Sequence, residues 1–106
     1  MKELQAFQKL VHATAREKGW WNEPRETGTL IALMHSELSE ALEADRHGNP
    51  PDDKIPNYTG LEAELADVMI RILDFAEGEG LDVIGAMLAK AEMNAGRPFM
   101  HGGKAY

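Results

Sequence analysis

The stretch TGLEAELADVMIRILDFA, residues 59–76, decides the fold. Thr59 with Glu62 three residues on is a capping box, in which each side chain satisfies the other's free backbone N–H, so a helix starts here. Leu61, Leu65, Val68, Ile72 and Phe75 then recur at steps of three and four, the period of one helix face, and Gly78 and Gly80 end the run. Glu64, Asp67 and Arg71 line the flank of that stripe within an arc of about 60°. Met69, Ile70, Leu73 and Ala76 carry apolar surface well past the stripe. Short neighbouring helices cannot cover a helix that is apolar on more than one side, which predicts self-association.

Outward from this helix the same period recurs. Leu4, Phe7, Leu10, Val11 and Thr14 space a first helix from about Lys2 to Lys18, stopped by Gly19. A second runs from about Thr29 to His47, with Arg46 and His47 against its negative end and Gly48-Asn49-Pro50-Pro51 closing it. A fourth covers about Leu81 to Ala95, where Val83, Ile84, Met87, Leu88 and Ala91 face inward and Lys90 and Asn94 share an edge. Residues 48–58 are a connection to which no chemistry is assigned. The expected architecture is all-α: a four-helix bundle-like protomer assembling as an obligate dimer or dimer of dimers. It forms a single domain over residues 1–106 with a flexible tail at about 96–106.

Two acidic pairs carry the chemistry. Glu37-x-x-Glu40 lies on the second helix and Glu64-x-x-Asp67 on the third, with twenty-three residues between Glu40 and Glu64. At about 100° per residue, Glu37 falls inside the apolar arc of Leu30, Leu33, Met34 and Ala41, and Glu40 falls on its edge. Burying ionised carboxylates is costly, so four of them converging imply raised pKa values or bound cations. Hard divalent ions prefer oxygen ligands, and magnesium takes a few carboxylates while leaving positions for substrate phosphates. Two plainer readings compete. An Asp67–Arg71 pair at i, i+4, worth about 0.3–0.5 kcal/mol, accounts for those two residues but not for Glu37. A ferritin-like di-iron site needs Glu-x-x-His on two helices, whereas Glu40 and Asp67 stand where those histidines belong. His12, His35 and His47 are therefore read as solvent or core-edge residues.

Composition fits one ordinary small domain, with 106 residues and 43% apolar content. The absence of cysteine excludes a disulfide framework and a thiolate metal site. No run of about 18 apolar residues and no charged-then-apolar leader is present, so no membrane association is expected and the cytoplasm is the default compartment. A net charge of -7 with scattered basic residues argues against a nucleic-acid polymer as partner. A free nucleotide differs, because divalent ions bridge acids to a triphosphate.

Between the first two helices, Trp20 and Trp21 stand outside regular structure. Two adjacent indoles do not both turn inward easily, which leaves one free to stack on a base. The tail sets Arg97, His101 and Lys104 among glycines, and its functional reading is an arm that closes on phosphates.

With these residues in place, the chain resembles the MazG-like all-α nucleoside triphosphate pyrophosphohydrolases, whose signature is E-x-x-E, a spacer, then E-x-x-D. Arg71 stands four residues after the last acid, Lys90 and Asn94 form K-x-x-x-N, and Arg97-Pro98 precedes His101-Gly102-Gly103-Lys104. The resemblance spans roughly residues 20–104; the run from Gly60 to Val68 and the H-G-G-K tail look most like the short integron-cassette and phage-type members. It implies a magnesium enzyme, with manganese able to substitute, that hydrolyses (deoxy)nucleoside triphosphates to monophosphate and pyrophosphate in nucleotide-pool house-cleaning. Glu37, Glu40, Glu64 and Asp67 would be the metal and catalytic residues. Arg71, Lys90, Asn94, Trp20, Trp21, Arg97 and Lys104 would bind substrate. The alternative is a non-catalytic acidic helical dimer that binds a nucleotide or a protein partner.

Overall fold

A computed structural model describes residues 1–97 as four α-helices with no strand: α1 (Lys2–Glu17), α2 (Thr27–Arg46), α3 (Gly60–Glu79) and α4 (Val83–Ala95). The described residues are all-helical in their regular structure, and the packing of α1 and α2 on α3 is compatible with a bundle. Pro98, His101 and Lys104 lie outside the described residues, so the tail closing on phosphates has no structural counterpart here.

The capping box of α3 forms as its residues predict. The Thr59 hydroxyl accepts from the Glu62 N–H at 3.1 Å, and the Thr59 N–H donates to Glu62 Oε1 at 2.9 Å. At the far end Gly80 takes φ 68°, the left-handed turn that favours glycine, so α3 passes through Gly78 and stops two residues later. Asp82 then caps α4 by accepting from the Gly85 N–H at 2.9 Å, which moves its start from Leu81 to Val83.

The α2–α3 hairpin is pinned at its neck. Asn49 Oδ1 accepts from the Leu61 N–H at 2.8 Å, and the Gly60 N–H donates to the Pro50 carbonyl at 2.7 Å. A β-carbon on Gly60 would lie 3.1 Å from the Ala44 methyl, so glycine lets the two helices approach closely at that point. Glu37 is buried on α2 with Leu30 and Ala41, as the apolar arc predicts.

Three expected faces differ. On α3 the buried residues are Ala63, Val68, Leu73 and Ala76, whereas Leu65 is 44% exposed. The reason is topological: α1 and α2 both pack against α3, so one protomer uses its apolar surface on two sides. Leu73 and Ala76 thus belong to the protomer core, and Met69 and Ile70 stay exposed. On α1, Phe7 and Leu10 are exposed while Gln8 is buried, donating from Nε2 to Glu77 Oε1 at 3.0 Å. On α4 only Ile84 is buried, and Met87 and Leu88 face solvent instead of a core, because α4 makes little contact with the other helices.

Candidate metal centre

The neck sets the register of the acids. With Ala44 against Gly60, four residues back along α2 and four forward along α3 bring Glu40 opposite Glu64; seven each way bring Glu37 opposite Asp67. A hairpin of antiparallel helices therefore turns two sequence motifs into one cluster. Carboxylate oxygens of Glu37, Glu40 and Glu64 lie within 4.8 Å of one another. Asp67 stands outside this group of three but next to it, close enough for the Glu37 charge to act on it.

Donors are scarce in the cluster. Arg71 Nε donates to Glu37 Oε1 at 3.0 Å, across from α3 to α2. The Asp67–Arg71 pair that spacing allows within α3 does not form. With every acid ionised, Glu37 Oε2 and Glu64 Oε2 are buried with no donor to accept from, and only a proton or a cation between the acids relieves them. Each such orphan costs about 1–3 kcal/mol, more when charged, so the cluster holds its acids without satisfying them.

Protonation follows from this imbalance. Burial raises Glu64, and the hydrogen bonds and charges of Glu40 and Glu37 raise it further, to about 7. Burial also pushes Glu37 upward, but the hydrogen bonds from Arg71, Glu40 and Glu64 and the charge of Arg71 outweigh it and hold Glu37 below the ordinary carboxylate range. Burial, reinforced by the Glu37 and Asp52 charges, raises Asp67, against the opposing charges of Arg71 and Lys54. Near neutral pH the proton that Glu64 retains does what a cation would do. Orphaned buried lone pairs, an all-oxygen donor set and three converging carboxylates fit a hard divalent ion such as magnesium.

The indole pair divides as expected. Trp21 turns inward: its Nε1–H donates to both Asp74 oxygens at 2.9 and 3.1 Å, and its ring meets His12 edge-on. A β-carbon on Gly78 would lie 2.5 Å from that ring, so glycine there makes room for the indole. Trp20 is 50% exposed and lines a cavity of about 260 Å³ between α1 and α3, together with Thr14, Lys18, Asp67, Arg71 and Asp74. Asp67 and Arg71 connect this cavity to the acidic cluster.

Lys90, Asn94 and Arg97 are exposed, and among the described residues no side-chain hydrogen bond or ion pair joins them to the acids. The structure does not bring them into this site. Lys104 lies outside the described residues. Sequence reasoning missed Asp74, which accepts from His12 and Trp21 and lines the cavity. A signal existed, because Asp74 is seven residues after Asp67 and so shares its helix face. His12 stands at the core edge, as read. No family model, curated protein or solved structure matches the chain.

Proposed function

We propose that the chain is a magnesium-dependent hydrolase of nucleoside or deoxynucleoside triphosphates, cleaving between the α and β phosphates and acting in the cytoplasm as a dimer or larger homo-oligomer. One observation carries this reading: Glu37 Oε2 and Glu64 Oε2 are buried without a partner in a cluster of three carboxylates. A structural acid cluster would find donors; a cation site leaves lone pairs free. The MazG-like order of E-x-x-E, E-x-x-D, Arg71 and K-x-x-x-N supports the same class.

In this reading Glu37, Glu40, Glu64 and Asp67 hold the ion. When bound, magnesium polarises the attacked phosphoryl group and lowers the pKa of water. One of the carboxylates, Glu37 in this reading, would orient the attacking water and take its proton as the new P–O bond forms at the α phosphorus and pyrophosphate leaves. Arg71 spends Nε on Glu37, which leaves its terminal N–H groups for a phosphate oxygen. Trp20 lines the cavity half exposed, and a base would stack on the part of its ring that the Arg25 and Arg71 guanidiniums leave uncovered.

Self-association is supported by a thin core. No large side chain among the described residues is fully buried, while Leu38, Leu42, Leu65, Met69, Met87 and Leu88 are exposed. No described helix is long and apolar enough to cross a membrane.

A turnover screen over common and modified triphosphates, scoring pyrophosphate with and without magnesium, tests the proposal. Magnesium-dependent release of pyrophosphate is expected. Magnesium-dependent nucleotide affinity with no product from any triphosphate would replace the enzyme with a binding module.

A further inference from the structure

Among the described residues Arg25 has no acidic partner, in a chain rich in acids. The sequence carries 18 acidic residues against 11 basic ones, and Glu23 and Glu26 stand within two positions of Arg25. Yet no hydrogen bond or ion pair engages its side chain among the described residues. Its guanidinium is half-buried and lies against two indoles instead, 5.7 Å from the Trp20 ring centre and 5.4 Å from the Trp21 ring centre. The Arg71 guanidinium lies 5.7 Å from the same Trp20 ring. With each guanidinium carbon 5.7 Å from the Trp20 ring centre, Arg25 lies no more than about 11 Å from Arg71, which bonds Glu37 directly, a separation that a polyphosphate chain spans.

Stacking and hydrogen bonding use different parts of a guanidinium. The π face meets an aromatic ring, while the five N–H groups point outward in the plane as a fork that fits phosphate. An arginine held 5.4 and 5.7 Å from two indole ring centres, with no carboxylate on its N–H groups, keeps those donors for an anion. A surface arginine in so acidic a chain would ordinarily settle on a carboxylate.

We propose that Arg25, clamped by Trp20 and Trp21, is a further substrate-binding residue that donates to phosphate oxygens of a polyphosphate chain held at the acidic cluster. The inference rests on the polyphosphate reading of that cluster. It assigns to the segment before α2 a second role besides connection: it supplies a cation besides Arg71, the other arginine of α2 and α3, Arg46, being paired with Glu43 at the end of α2.

The probe is inorganic tripolyphosphate with magnesium, followed by calorimetry and by indole emission, with sulfate at equal ionic strength as control. In the parent, tripolyphosphate binds and alters indole emission, and sulfate does not. Arg25→Gln weakens tripolyphosphate by roughly ten- to a hundredfold, the worth of a hydrogen bond to a charged group. Its magnesium-induced rise in melting temperature stays, because the acids are intact. With a nucleotide substrate, KM rises by a similar factor and kcat falls by less. Folded Arg25→Gln that binds tripolyphosphate within twofold of the parent overturns the proposal. Should that variant not fold, Arg25→Lys decides, because it keeps the charge and loses the planar fork: a severalfold loss of affinity supports the proposal and parental affinity overturns it. Tripolyphosphate binding that depends on Arg25 without turnover of any triphosphate would remove the hydrolase reading and leave this one. Turnover with an unchanged KM in Arg25→Gln would do the reverse.

Discussion

Glu64 and Asp74 stand ten residues apart on the same helix, are both largely withdrawn from solvent, and have opposite surroundings. Asp74 receives two indole contacts from Trp21 and one from His12 Nδ1 at 2.8 Å, so its lone pairs are used. Glu64 faces Glu37 and Glu40, and its Oε2 has nothing. A buried carboxylate is structural when donors converge on it and a candidate ligand when acids do. Burial alone does not separate the two; the sign and number of the neighbours do.

Activity breaks this comparison most sharply. Glu64→Gln is expected to lower pyrophosphate release by two or more orders of magnitude through loss of an ion ligand, on the order of 10²-fold or more. Asp74→Asn should retain most of it. Equal losses in the two variants would erase the distinction.

Stability of the metal-free protein should move the other way. Because Glu64 is raised from the model-compound value of 4.5 to about 7, the folded state holds a proton there that the unfolded state releases. Folding stability contributed by this group is present below about 4.5 and is lost as pH rises to about 7, and it is flat above that. Glu64→Gln mimics the protonated form, so at pH 8 it should gain roughly 1–3 kcal/mol over the parent, and at pH 4 almost nothing. Urea melts at the two pH values read this directly. Glu37→Gln should instead destabilise, because its lowered pKa comes from the Arg71 bond that the substitution weakens. A gain in stability for Glu37→Gln would show that Arg71 does not hold it.

Magnesium sharpens the contrast further. At a hundredfold excess over its dissociation constant it should stabilise the parent by about 2.7 kcal/mol, stabilise Asp74→Asn as much, and stabilise Glu64→Gln far less. Calorimetric scans in magnesium and in chelator test this; a parent that does not respond defeats the cation site. Asp74→Asn itself should cost about 1–3 kcal/mol in either buffer, since a donor is left without its acceptor. The smallest expected effect concerns assembly: Met69→Lys should lower the melting temperature by a few degrees at low protein concentration and by less at high concentration, as linked association requires. Concentration-independent melting of the parent would count against the oligomer.

Much of the fold was legible from local chemistry. The Thr59–Glu62 box, the glycine stops and the enclosed position of Glu37 depend on near neighbours in sequence, and each appears where its pattern puts it. What failed depended on how many elements meet a surface. Leu65 and Leu73 exchange places between core and surface because α3 has two neighbours, a number that periodicity does not report. Arg71 was equally open to Asp67 on its own helix and to Glu37 across the hairpin, and only the register at the neck favours the second. Asp74 went unread because its donors come from two distant segments, and Arg25 because indole stacking leaves no charge pattern in sequence.

The clasp formed by Asn49, Pro50, Gly60 and Leu61 has one more consequence. It closes the connection below the point where the chain loops out, so the arc between Asp53 and Asn57 hangs from a fixed ring and bears on the paired acids only through charge, that of Lys54 on Asp67. Lengthening that arc costs only the slow logarithmic toll of loop closure, about 0.6 kcal/mol per doubling. The arc beyond the clasp is thus free to change in length while its charge is not, and it is the natural port for grafting a fluorescent or affinity tag onto the working protein.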